Sequence, residues 1–326
     1  MNHDQVSLGE AWLALKKATR DWIYDPNVSL IDYGWPEQDG EVVEDQLAIR
    51  IFVKEKIPAG NALESAIRQG ITNAPIPPTI SDVHTDVIKA NIKVRQGWGN
   101  WWSPKEPRAG RVVPMEGGIS ISNSKQYGYA TLGGLVKDRE TGEPMILSNW
   151  HVLAGDWAAL PGRPIYQPGW GDGGSQADTV ATLTRDAMAS NLDAAVATLT
   201  GGRPLINRQF DLYPILGVDR VRNGMQVVKS GRRTAITRGS VTNALLGTAR
   251  INYRGITRLI RQVITINPRL GQQVSAGGDS GSLWLDEGTR KAVGLHFAGS
   301  DDPEYALAVD LQSVLDALNV DLVVEA

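Results

Sequence analysis

From residue 117 onward the chain is cut into short apolar runs by glycine, proline, asparagine and aspartate, and this punctuation constrains the fold more than any other feature. Runs at 117–122, 128–136, 145–148, 177–183 and 193–199, then at 225–229, 239–246, 259–266, 282–285 and 292–297, read as strands between turns. Such spacing fits a β-barrel. The 35 glycines in 326 residues exceed the usual share of roughly 7 %, which suits a turn-rich β architecture better than a helical bundle.

Among these runs sits Gly277-Gly278-Asp279-Ser280-Gly281-Ser282, a glycine-flanked serine ahead of Leu283-Trp284-Leu285. A serine hydroxyl attacks poorly until a base takes its proton. The chain has four histidines, and His151 follows the apolar Met145-Ile-Leu-Ser-Asn-Trp stretch into a polar turn. Asp193, in Asn191-Leu192-Asp193-Ala194-Ala195-Val196, opens another apolar run. Asp178 and Asp186 are nearby competitors. The chain order is therefore His, Asp, Ser, one of several orders in which this constellation occurs. His3 and His84 have no metal-ligand pattern around them.

These residues carry a resemblance. Leu-Ser-Asn-Trp-His151-Val-Leu resembles the histidine motif of trypsin-like serine proteases, Asp193-Ala-Ala-Val their aspartate motif, and Gly278-Asp279-Ser280-Gly281 their nucleophile motif. Gly231-Arg232-Arg233-Thr234 and Gly294-Leu-His-Phe-Ala-Gly-Ser300 are similar to stretches in bacterial and plant trypsin-like proteins. The resemblance implies a mainly β fold: a double-barrel, chymotrypsin-like protease domain at 111–326 with a C-terminal helix, preceded by a small α+β domain. It also implies roles. Ser280 would be the nucleophile, His151 its base, Asp193 the group that orients the imidazole, and the Gly278 and Ser280 N–H groups the oxyanion hole. Asp279 would shape that turn. Trp150 departs from the small residue usual before the histidine. His296 and Val274 would line the primary pocket; His296 suggests a Glu or Gln preference, against a packed wall favouring small apolar side chains. No cofactor or metal is required, and the substrate would be a protein or peptide.

Ahead of this domain, residues 7–23 place Leu8, Ala11, Trp12, Leu15, Ala18 and Trp22 at helical spacing. Strands are expected at 27–35, 46–54 and 86–94, and a helix at 61–69 with Asn61 as its cap and Gly70 as its stop. The expected division is an α+β unit at 1–95, regulatory or for assembly through a partner or a second copy, and a linker at 96–110. Trp98, Trp101 and Trp102 in that linker read as packing between domains or occluding the cleft. Arg111-Val-Val resembles a zymogen cleavage site, but Pro114 argues for an ordinary boundary.

Cysteine is absent, which excludes disulfides and thiol chemistry. No apolar run is long enough for a membrane span and no secretory leader is legible, so a cytoplasmic protein is expected. Residues 203–269 carry a formal charge of +11 and residues 270–326 carry −8, a pattern that reads as neighbouring surfaces neutralising each other. The arginine-rich stretch lacks the interleaved aromatics of a nucleic-acid surface. The alternative to an active protease is a protease-like scaffold or binding module acting through the N-terminal unit and linker.

Overall fold

The computed structural model describes residues 6–38, 40–44, 46–94, 97, 106–269 and 271–324. His3 and the three linker tryptophans lie outside the described residues.

The short apolar runs do form strands, and the strands close into two barrels. In the first, Ser120–Asn123, Pro164–Tyr166, Thr179–Asp186, Ala195–Leu199 and Pro144–Ser148 pair in that order. The 130–138 run closes the ring, because Ala130–Thr131 pairs with Ser120–Asn123 while Gly134–Asp138 pairs with Pro144–Ser148. Its buried side chains include Ile121, Leu132, Ile146, Leu147, Ile165 and Val196, none with any solvent exposure. In the second barrel Ala235–Val241, Gln226–Gly231, Leu283–Asp286, Ala292–Asp301, Glu304–Asp310 and Ile256–Pro268 pair in order, and Ala235–Val241 also pairs with Ile256–Pro268. Val227, Val241, Ile264, Ile266, Trp284 and Val293 fill it. Closure leaves neither ring an open edge.

The C-terminal helix, Leu311–Leu318, is capped by Asp310, whose side chain accepts from the Ser313 N–H. Its Leu311, Val314, Leu315 and Leu318 face the core. The last strand, Val320–Leu322, then adds to Gly134–Asp138 of the first barrel.

Residues 28–89 extend the second barrel's sheet. Val28–Gly34 pairs antiparallel with Asn243–Tyr253, Ala48–Val53 pairs with Val28–Gly34, and Val83–Lys89 lies parallel to Ala48–Val53. A parallel pair needs a crossover, and the helix Asn61–Arg68 lies within that connection. Both faces of Val28–Gly34 and Ala48–Val53 are buried. The helix Leu8–Trp22 covers one face with Ala11, Ala14, Leu15 and Ala18, and Leu30, Phe52 and Ile88 join the barrel core on the other.

Three local expectations need correction. The buried stripe of the first helix is Ala11, Ala14, Leu15 and Ala18, whereas Leu8 and Trp12 are exposed; small alanines let the helix approach the sheet, so the bulky residues are turned outward. Gly60, not Asn61, is the N-cap of the second helix, and no side chain caps it. The 86–94 run is two strands, Val83–Lys89 and Lys93–Val94, and the second pairs with Ala292–Asp301. His84 lies in the first of these, exposed.

Candidate active site

His151 is delivered by a strand that turns into one short helix, Pro144–Ser148 into Trp150–Leu153. Asn149 occupies the N-cap with extended backbone, but its side-chain amide donates to the Asp193 carbonyl instead (2.7 Å). That bond ties the histidine turn to the aspartate turn. The Asp193 carboxylate, fully buried, accepts from the His151 backbone N–H (3.1 Å) and lies 2.6 Å from Nδ1. A carboxylate accepts only, so Nδ1 carries a proton toward it. Nε2 makes no hydrogen bond among the described residues.

A third donor reaches the same carboxylate from the second barrel. Tyr253, at the tip of the Asn243–Tyr253 and Ile256–Pro268 hairpin, donates its hydroxyl to Asp193 Oδ2 (2.7 Å). Burial and then the Asp193 charge raise the phenol well above its ordinary range, so it stays a donor. Trp150 is buried and meets the Tyr253 ring edge-on, with Trp157 on its other side.

Ser280 sits in the turn 276–282 and is docked onto the first barrel. Its carbonyl accepts from the Thr131 N–H (2.8 Å), and Thr131 Oγ1 donates to the Gly278 carbonyl (2.8 Å). Ser148, three residues before His151, donates to the Thr131 carbonyl (2.9 Å). The Ser280 hydroxyl donates to the Phe297 carbonyl (3.3 Å), and no hydrogen bond joins it to His151 among the described residues. Gly278 has φ +115°, a conformation that side chains rarely adopt, and an added Cβ would meet the Tyr129 ring at 2.5 Å. Neither the Gly278 nor the Ser280 N–H is taken by a hydrogen bond among the described residues.

The turn is held by Asp279. Its Oδ1 accepts from the N–H groups of Arg233 (2.9 Å) and Thr234 (3.1 Å); its Oδ2 accepts from Lys229 Nζ (3.0 Å), Thr234 Oγ1 (2.6 Å) and the Ala276 N–H (3.0 Å). Burial raises this carboxyl, but Lys229 and the hydrogen bonds outweigh it and hold it below the ordinary carboxylate range. Both members of the Lys229–Asp279 pair are fully buried. That ammonium comes from within the chain. At the 111–112 bond, the Val112 N–H instead donates to Gln167 (3.2 Å).

Val274 is buried, its N–H on Glu304 (2.7 Å) and its carbonyl on Thr237 (2.8 Å). His296 is also fully buried, edge-on to Trp284 at 6.2 Å between centroids. The charge asymmetry is met in part by direct pairs, Arg238 and Arg269 with Glu287 and Arg222 with Asp286.

No protein-family model matches this chain, and no curated protein matches it. Solved structures do. The chymotrypsin of Cellulomonas bogoriensis is 16 % identical with a TM-score of 0.48, and the match covers 66 % of this chain and 100 % of that one. Thermobifida fusca protease A is 15 % identical with a TM-score of 0.47, over 66 % and 100 %. A glutamic-acid-specific serine protease, described as using a histidine triad in substrate binding, is 19 % identical with a TM-score of 0.46, over 64 % and 100 %. Two closed six-stranded barrels and a C-terminal helix decide the architecture. The fold is chymotrypsin-like.

Lys229 and Tyr253 did not stand out in the sequence. Lys229 ends the apolar run 225–229, and a lysine on the inward face of a barrel strand is a signal that a buried acid faces it. Tyr253 carries no such signal, because only the tertiary hairpin brings it to residue 193.

Proposed function

We propose that this chain is a serine endopeptidase that cleaves peptide bonds through an acyl-enzyme. The observation that carries the reading is the buried Asp193 carboxylate fixing His151 through Nδ1 while Nε2 makes no hydrogen bond among the described residues, together with a serine in a turn whose Gly278 and Ser280 N–H groups make none among those residues either. In this reading Ser280 attacks the carbonyl, His151 takes its proton and passes it to the leaving amine, and water then releases the acyl group by the reverse transfer. Asp193 holds the imidazole and stabilises its charged form. The Gly278 and Ser280 N–H groups receive the oxyanion. In this reading the Ser280 hydroxyl leaves the Phe297 carbonyl for His151.

Substrate before the scissile bond would meet the wall formed by Val274 and His296. A Glu or Gln preference rests on the His296 imidazole; its burial against Trp284 supports instead a packed wall and a small uncharged side chain. Residues 1–95 are proposed to act as a regulatory or assembly unit. No described helix is long and apolar enough to cross a membrane, and a cytoplasmic setting is proposed because a cysteine-free chain draws nothing from an oxidising compartment.

A fluorophosphonate probe tests the reading. Wild type is expected to be labelled at Ser280, Ser280→Ala not at all, and Asp193→Asn about 10³-fold to 10⁴-fold more slowly. Equal labelling of wild type and Ser280→Ala sinks it. The alternative, a binding module built on the same scaffold, is the reading left if wild type is folded and unlabelled.

A further inference from the structure

Two short pairings of the chain with itself bracket Ser280. On one side Lys93–Val94 lies antiparallel to Ala292–Asp301, with Val94 opposite Ala298 and Lys93 opposite Gly299. These partners directly follow Phe297, whose carbonyl accepts the Ser280 hydroxyl. On the other side Gly97 and Tyr129 exchange both backbone hydrogen bonds, each 3.1 Å. Tyr129 lies two residues before Thr131, which holds the Ser280 carbonyl, and its ring lies against Gly278. Val94 also shares a small cavity, about 40 Å³, with His151, Trp150 and Tyr253.

Three Cα steps separate Val94 from Gly97, so the anchors are no more than about 11 Å apart. One lies against Ala298, the neighbour of Phe297, and the other against Tyr129, whose ring packs on Gly278. Arg95 and Gln96, between them in sequence, lie outside the described residues; both anchors are made by main-chain groups of Lys93, Val94 and Gly97 alone.

We propose that Lys93, Val94 and Gly97 anchor the chain's own peptide ligand, their main-chain pairings occupying both sides of the Ser280 turn so that an outside peptide is excluded. This rests on the reading of the cleft as a peptide-binding one. Main-chain pairing of an added strand supplies affinity without requiring particular side chains. Tethering keeps the segment at an effective concentration on the order of millimolar, which a free peptide must exceed. Gly97 is required for the seat: a Cβ there would lie 2.3 Å from the Tyr129 ring, so a valine at 97 must leave it.

The test uses the full chain in a Ser280→Ala background, where binding is read without turnover. A fluorescent synthetic peptide of sequence Asn-Ile-Lys-Val-Arg-Gln-Gly-Trp, matching residues 91–98, is titrated by anisotropy into Ser280→Ala and into Ser280→Ala with Gly97→Val. The second is expected to bind at least about tenfold more tightly. Equal affinity, or binding to neither while circular dichroism shows both folded, overturns the proposal. If Gly97→Val does not fold, Val94→Pro takes its place, since proline breaks the pairing with Ala298. With Ser280 restored, Gly97→Val should react with a fluorophosphonate faster than wild type. If neither reacts, the hydrolase reading fails while the peptide titration still decides this one.

Discussion

Tyr253 donates its hydroxyl to the Asp193 oxygen that also holds His151 Nδ1, at 2.7 Å and 2.6 Å, and it does so from the opposite barrel. The phenol thereby couples the hairpin that pairs with the N-terminal strands to the orientation of the candidate base. A hydrogen bond to a charged acceptor contributes about 1.5–3 kcal/mol. Tyr253→Phe is therefore expected to lower kcat on a peptide ester about tenfold or more with KM nearly unchanged, because the phenyl ring keeps the packing on Trp150. An unchanged kcat would show that Asn149 and the His151 N–H suffice.

Lys229 and Asp279 form a fully buried pair, and removing one partner of such a pair costs about 3–5 kcal/mol. Lys229→Met should lose that much at pH 7. The sign of the pH dependence follows from the lowered Asp279 carboxyl. In wild type its contribution is fully present above the ordinary carboxylate range and is lost only as pH falls through the depressed folded value. In the variant the burial effect remains without the ammonium, so the deficit should shrink as pH falls toward 4. Guanidinium melts at pH 4 and pH 7 measure this; equal deficits would count against it.

Asp32 and Arg50 stand opposite each other on paired strands and meet through two hydrogen bonds, 2.7 and 2.6 Å, with no solvent exposure. Thr242 and Thr265 of the second barrel join them, at 3.1 and 2.6 Å. Asp32→Ala leaves a buried guanidinium unpaired and should lower stability by about 3–5 kcal/mol. Replacing both, Asp32→Leu with Arg50→Met, should recover most of it. Urea melts of the three chains read the comparison, and a double variant no better than the single one would contradict it.

His296 is expected to matter for packing more than for selection. His296→Ala should lower the urea midpoint and leave the peptide-library preference before the scissile bond unchanged. Selective loss of cleavage after Glu and Gln would restore the imidazole as the pocket's polar group.

The barrel strands were legible because apolar runs between turn residues need only local chemistry to be read. His151 and Asp193 stood out by motif and order, and the structure brings them into contact. The outward turn of Leu8 and Trp12 was not legible, since their helical spacing matches the buried stripe and only the flat sheet beneath selects Ala11, Ala14 and Ala18. Nor was the joining of residues 28–89 to the hairpin at 243–253, because backbone pairing between distant segments leaves little trace in side-chain type.

By itself the sequence determined that short strands alternate with turns, that a glycine-bounded serine and a base-bearing turn exist, and that no thiol takes part. These are properties of neighbouring residues. Tertiary structure alone decided that Lys229 neutralises Asp279, that Tyr253 reaches Asp193, and that Val94 pairs with Ala298 and Gly97 with Tyr129. Each of these joins groups tens or hundreds of residues apart, and ring closure of the two sheets, not any local preference, brings them within hydrogen-bonding distance.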